Sequence, residues 1–388
     1  MHPSPAWTDR IANSILPRLA DSLLVLCLLC SGVRLRAAET AVPLVVLAGP
    51  PSEIGTNEGT AYRTVMPGLL RIMGLGAEAM QVFKPRRTRS WIAGLPPAHR
   101  SEMEAMAGAA GIRVNRLLHA NVIVDTCCSA LVSPVRPAQP LMIARNMDFF
   151  PAGLTGPGTV LKVYRQPGRR TFVSVSWPGY AGVVSGMNDR GVTACVLLRH
   201  AGASREGGTP ICFRIREILE ECSDLESAVA RFRSSAVASE HYLLLADERS
   251  AAIVWRQGDA VMRHDPTAGW LAAANGRRGA DGLPADARGT VLQDLARSRT
   301  DWDDAWMRSA TTATCQLGTN AQAMLWTPAT RTLDLATGTG WRAAARQEWT
   351  RYRLADVLAG TTEQVMPEKL GKCTRLKHYL EGGDESRG

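Results

Sequence analysis

Two short segments hold residue types that could do chemistry together. Cys127-Cys128-Ser129-Ala130 offers adjacent thiols, and Arg145-Asn146-Met147-Asp148 brings a guanidinium and a carboxylate, Arg145 lying 17 positions after Cys128. A cation beside a thiol favours the thiolate, which is the nucleophilic form, and a carboxylate can orient a proton carrier. The cysteines stand where a helical pattern gives way to a strand, and the turn Pro134 to Pro140 sends the chain back. The strand ending at Asp148 should therefore pair antiparallel with the strand starting at the cysteines, so that thiol, guanidinium and carboxylate converge. The same spacing also suits a buried strand cysteine beside a structural Arg145 to Asp148 ion pair.

Other chemistries find little support. The sequence lacks GxSxG, GxxxxGK, GxGxxG and HExxH, and its one CxxC, Cys27 to Cys30, lies inside an apolar run, so neither a metal nor a cofactor is expected. His119 stands nine positions before Cys128 on a helical face, which leaves a Cys-His thiol hydrolase as one alternative. The 388 residues are 45% apolar and 21% charged, a globular composition with enough chain for a large core. The net charge of +9 comes from dispersed side chains, 40 of them Arg, with no basic stripe interleaved with aromatics, which argues against nucleic acid as a partner.

Residues 1–40 differ from the rest. Leu23 to Cys30 is an apolar run preceded by Arg10 and Arg18 and followed by Ser31 and Gly32, the pattern of a signal peptide whose run is too short to span a bilayer. The chain is therefore expected to be exported to a periplasmic or extracellular space, and otherwise to be cytoplasmic with residues 1–40 as an extension. Two of the nine cysteines fall there, and the seven that remain are an odd number, which implies at least one free thiol.

From Ala41 the elements follow without a linker or repeat. Residues 60–125 read as helical, with Ser101 as a cap for Glu102 to Ala110, Gly111 as its stop, and Val114 to Val124 as the next helix. Strands are expected at 129–133, 140–146, 159–164 and 171–177, then at 181–187 and 192–198 around the hairpin loop Asn188-Asp189-Arg190-Gly191. Helices at 213–221 and 225–232 precede strands at 241–245, 251–255, 260–262 and 270–274. Helices at 289–296 and 301–307 precede a last hairpin, 321–326 with 331–335, which Asn320 would cap. Runs of antiparallel strands with segregated helix pairs indicate a layered α+β domain.

The sequence resembles the N-terminal nucleophile (Ntn) hydrolases of the acid ceramidase, choloylglycine hydrolase and penicillin acyltransferase type, over roughly residues 45–338. Gly49 to Gly55 with Gly59 resembles the opening GxPxEIGxxxG segment, Glu102 to Gly108 the helix before the nucleophile, and Asp125 to Ala130 the cleavage segment. Ala144 to Phe149 is similar to a GRNxD motif. Trp177-Pro178-Gly179 and Gly186 to Gly191 are similar to a PG and GMNExG pair.

The resemblance implies a four-layer αββα sandwich made as a precursor, with residues 41–127 as an α chain and 128–388 as a β chain. It implies that Cys128 is the nucleophile and that its freed α-amine, of a type that titrates at about 7.7 to 8.0, is the general base. Asp148 would orient that amine, Arg145 would favour the thiolate, and Asn275 with the Leu198 backbone N–H would bind the oxyanion. Arg288, 13 positions after Asn275, matches a family arginine. The family usually has His or an aromatic after the Asn, whereas this chain has Gly276. The implied activity is hydrolysis or acyl transfer at a linear amide C–N bond of a small molecule. A non-catalytic exported binding protein on the same sandwich is the alternative outside enzymology, with Cys127 and Gly276 as its arguments.

Overall fold

The computed structural model describes residues 41–70, 85–122, 127–149, 155–198, 207–234, 236–239, 241–266, 268–278 and 284–373. Residues 1–40, and with them Cys27 and Cys30, lie outside the described residues, as do Asp125 and Thr126 just before Cys127.

In chain order the elements are β1 (Leu44–Ala48), α1 (Pro51–Ala61), α2 (Pro85–Ala93), α3 (Pro97–Ala110), α4 (Val114–Val122), β2 (Cys127–Val132) and β3 (Ile143–Asp148). There follow β4 (Val160–Arg165), β5 (Phe172–Ser176), β6 (Ser185–Asn188), β7 (Thr193–Leu197), α5 (Ile211–Glu221), α6 (Leu225–Arg233), β8 (Tyr242–Ala246), β9 (Ala251–Gln257), β10 (Ala260–His264) and β11 (Leu271–Ala274). Beyond a small β12 (Arg277–Arg278) and β13 (Pro284–Ala285) come α7 (Ala287–Arg297), α8 (Asp304–Thr314), β14 (Asn320–Thr327), β15 (Thr332–Thr337), β16 (Glu348–Arg353), α9 (Ala355–Ala359) and β17 (Glu368–Lys372).

One sheet runs β1-β4-β5-β6-β7-β8-β9-β10 and the other β11-β2-β3-β14-β15-β16-β17. Among the described strands, only β1 with β4 pairs in parallel. Helices α5 and α6 pack on the first sheet and α7 and α8 on the second. Cys128, Ala130, Met147 and Met324 on the second sheet join the main core, while Leu131, Ala144 and Leu325 pack against Leu292, Met307 and Ala310 of α7 and α8. The layers are therefore helix, sheet, sheet, helix, an αββα sandwich of α+β class.

Local chemistry explains most boundaries. Helix α3 begins at Pro97, a turn before the expected Ser101 cap, because proline suits the first helical position where no N–H bond is needed. Asp224 and Ser227 form a capping box on α6. The expected strand at 181–187 forms only from Ser185, since the Ala181 N–H is held by Asn121 Oδ1 at 2.6 Å and the Val183 N–H by the Cys212 carbonyl at 3.0 Å. The opening motif has a packing reason. A Cβ on Gly55 or Gly59 would lie 2.0 Å from the Glu102 carbonyl oxygen or 2.4 Å from that of Met106, so both glycines are required for α1 to lie against α3.

Buried charges join the segment before Cys128 to the segment after it. Glu58 meets Lys162 at 2.5 Å with both side chains fully buried, and the Arg216 guanidinium donates to both oxygens of Glu102 at 2.9 and 2.7 Å and to Glu220 at 2.8 Å. Removing one member of such a cluster strands the other charges without water. Arg216→Leu should cost about 3–5 kcal/mol in urea unfolding, and adding Glu102→Gln should restore part of it. A loss under about 1 kcal/mol would show that the cluster does not hold the two segments together.

Candidate active site

Strands β2 and β3 pair antiparallel as the spacing required, with Cys127 opposite Asp148, Cys128 opposite Met147, Ser129 opposite Asn146 and Ala130 opposite Arg145. Residues directly opposite in such a pair share a face, and neighbours along a strand alternate. Arg145 and Asp148 are three apart, an odd spacing, so they project to opposite faces. The expected convergence is thus corrected: Cys128 shares the inner face with Arg145, and Cys127 shares the outer face with Asp148.

On the inner face, Cys128 and Arg145 are fully buried. Arg145 Nη2 donates to Cys128 Sγ at 3.1 Å, and Nη1 crosses to the other sheet to reach the Val196 carbonyl of β7 at 2.7 Å. The guanidinium is thereby fixed from both sheets, where it stabilises negative charge on the sulfur.

Strand β11 adds to β2, with Leu271 opposite Val132 and Ala274 opposite Ser129, which brings Asn275 to the main chain of Cys128. Its backbone N–H donates to the Cys128 carbonyl at 3.2 Å. Its Oδ1 accepts the Cys128 N–H at 3.0 Å and the Leu198 N–H at 3.1 Å. Two backbone donors at one oxygen settle which amide atom is which. The Nδ2 is buried and makes no hydrogen bond to the described residues, although Asn275 lies near enough to Cys127 to favour its thiolate. A buried, fixed and unused donor is what an oxyanion requires. Leu198 is corrected: its N–H is occupied by Asn275 and so is not a free second donor. Gly276 has its reason in φ +125°, which side-chain-bearing residues rarely adopt, and its N–H reaches the Leu198 carbonyl at 3.3 Å.

On the outer face, Asp148 is 2% exposed. Its Oδ2 accepts from Arg288 Nη1 at 2.6 Å and its Oδ1 from Asn320 Nδ2 at 3.0 Å. Burial pushes its carboxyl up to about 6, against the pull of Arg288 and Asn320. Because the folded value lies above the unfolded one, the native state binds this proton more tightly, and stability falls as pH rises from about 4 through 6. Asp286 caps α7, its Oδ1 accepting the Arg288 N–H at 2.9 Å, and its Oδ2 braces the Arg288 guanidinium at 2.7 Å. Burial also pushes the Cys127 thiol up, with Cys128 and Asp148 adding and Arg288 and Asn275 opposing.

The sequence reading missed Asn320 as part of the site. It heads β14 instead of merely capping the hairpin, and nothing local in Gly318-Thr319-Asn320 reveals that β14 lies beside β3. His119 sits half-buried on α4, which packs against α2 and α3. No group of three or more His, Cys, Asp or Glu among the described residues could hold a metal ion.

Residues 135–276 match the family of acyl-coenzyme A:6-aminopenicillanic acid acyl-transferase. Over that segment the chain is similar to this acyl-transferase family. The likeness is to acyl-transferring enzymes and runs from the turn after β2 to the residue that follows β11 by two positions. The matched segment takes in Arg145, Asp148 and Asn275, while Cys128, Arg288 and Asn320 lie beyond its ends. Comparison with curated proteins finds no match.

Similar solved structures include a Caenorhabditis elegans orthologue of N-acylethanolamine-hydrolyzing acid amidase, at 18% identity over 52% of this chain and 93% of that chain, TM-score 0.44. A variant of conjugated bile acid hydrolase from Clostridium perfringens is 10% identical over 63% and 98%, TM-score 0.45. Penicillin V acylase from Agrobacterium tumefaciens is 15% identical over 55% and 83%, TM-score 0.39. At these scores the layer order of this chain rests on its own sheet contacts.

Proposed function

We propose that the protein is a cysteine Ntn hydrolase, cut between Cys127 and Cys128, that hydrolyses or transfers the acyl group of a linear small-molecule amide. One observation carries this reading: the sulfur of Cys128 touches the Arg145 guanidinium while the N–H of the same residue rests on Asn275, whose other amide atom is an unused donor.

In the precursor, the Cys128 sulfur attacks the carbonyl carbon of Cys127. The peptide C–N bond breaks, leaving a thioester and a free α-amine, and water then releases the Cys127 carboxylate and the thiol. In turnover the α-amine accepts the thiol proton as sulfur attacks the substrate carbonyl. Asn275 Nδ2 donates to the oxyanion, the α-ammonium returns its proton to the departing amine, and water or an acceptor amine resolves the thioester. Cleavage removes Cys127 from the face it shares with Asp148, leaving that carboxylate, braced by Arg288, to orient the amine. Acyl groups of the kind carried on 6-aminopenicillanic acid define the substrate class to try first.

Intact mass and N-terminal sequencing test the reading. Two polypeptides are expected, the larger beginning Cys128-Ser129-Ala130. A single uncut but active chain would point to the His119 alternative, and an uncut inactive one to a binding protein. If residues 1–40 are an export leader, secreted material will start beyond them.

A further inference from the structure

We propose that Asn320 is a positioning residue for Asp148, holding one carboxylate oxygen so that the other is left to Arg288. This rests on the role given to Asp148 above.

The amide of Asn320 has no freedom of its own. Its Oδ1 accepts the Ala345 N–H at 2.9 Å, from the turn Ala344–Arg346, so Nδ2 must face the other way. There it donates to Asp148 Oδ1 at 3.0 Å and Asn146 Oδ1 at 3.2 Å. Asn146 is itself fixed, because its Nδ2 donates to the Thr311 carbonyl at 2.7 Å and Thr314 Oγ1 at 3.1 Å on α8. The carboxylate is thus tied through two amides to a helix and to a turn, all of it buried. The strand contributes as well. The pairing of β14 with β3 runs Asn320 to Asp148 and then Gln322 to Met147, so Ala321 is an extra residue in a β-bulge. Bulges redirect side chains, and this one turns Asn320 onto Asp148.

The hydrogen bond from Asn320 favours the charged form of Asp148, since an N–H can donate to a carboxylate but gains less from a carboxylic acid. Other groups facing Asp148 are Arg288 from the start of α7, Cys127 from β2 and Cys315 at the end of α8, with a backbone bond from Gln316 and the Arg145 charge from the opposite face. Of these donors, Asn320 alone contributes a neutral side chain, so replacing it removes a hydrogen bond without removing a charge.

The test is a carbon-13 NMR titration of the full chain labelled at aspartate carboxyl carbons, with the Asp148 signal identified by its loss in Asp148→Asn. In the uncut chain the midpoint is expected at about 6, and in a cut one the freed α-amine beside the carboxylate lowers it. Asn320→Ala should raise it by about one unit, a tenfold tighter proton, and Asn320→Asp, isosteric but acidic, should raise it further. Should Asn320→Ala fail to fold, Asn320→Asp carries the test. A residue that served packing alone would lower the melting temperature and leave the midpoint within about 0.2 units of wild type, and that result overturns the proposal. The titration requires neither chain cleavage nor a substrate. An uncut wild type would therefore sink the proposed function without touching this result, and a cut wild type with an unmoved midpoint would sink Asn320 only.

Discussion

Cys128→Ala should leave a full-length, inactive chain, whereas Cys127→Ala should be cut and turn over. The two thiols are neighbours, yet a strand sends them to opposite faces: Cys128 accepts a hydrogen bond from the Arg145 guanidinium at 3.1 Å, whereas burial outweighs the pull of Arg288 on Cys127. Loss of a nucleophile removes both self-cleavage and turnover, with a fall in kcat on the order of 10⁶-fold, as for other covalent catalysts. Cys128 is fully buried, so Cys128→Ser serves beside it as a nearly isosteric control. The readouts are intact mass and turnover of the amide on which the wild type is active. If Cys127→Ala is the uncut variant while Cys128→Ala is processed, the nucleophile moves by one residue and the geometry given to Arg145 loses its purpose.

Asn275→Asp should lower kcat by about 10² to 10³ with little change in KM, the effect of removing one oxyanion donor. The structure makes this substitution sharper than Asn275→Ala. Asp keeps an oxygen for the Cys128 and Leu198 N–H groups, now held by Asn275 Oδ1 at 3.0 and 3.1 Å, and so preserves the local architecture. It loses only the unused Nδ2 donor and places negative charge where negative charge must develop. Steady-state kinetics on both variants, with the mass confirming that each is cut, gives the comparison. Turnover of Asn275→Asp within a factor of a few of wild type would reduce Asn275 to a turn former ahead of Gly276.

Linear order was enough to pair β2 with β3, because a short turn between two apolar runs leaves an antiparallel hairpin as the simple outcome. Residue types, together with the resemblance they carry, singled out Cys128, Arg145, Asp148, Asn275 and Arg288. Even the separation of Arg145 from Asp148 was legible in principle, since an odd spacing on a strand puts two side chains on opposite faces. Composition and periodicity likewise sufficed for a layered α+β chain.

The remainder depended on contacts between distant stretches of chain. Asn275 reaches Cys128 because β11 adds to the edge of β2 across about 140 residues of chain, and Asn320 reaches Asp148 because β14 joins the other side of β3 through a bulge. Arg145 is pinned by a carbonyl of the facing sheet. Strand order and register in a sandwich are set by burying two apolar faces against each other and by satisfying every backbone group between them. Those are global conditions with no local sequence signature. The chemistry-bearing residues are therefore written along the chain, while their facing, their partners and the free donor of Asn275 exist only once both sheets have closed.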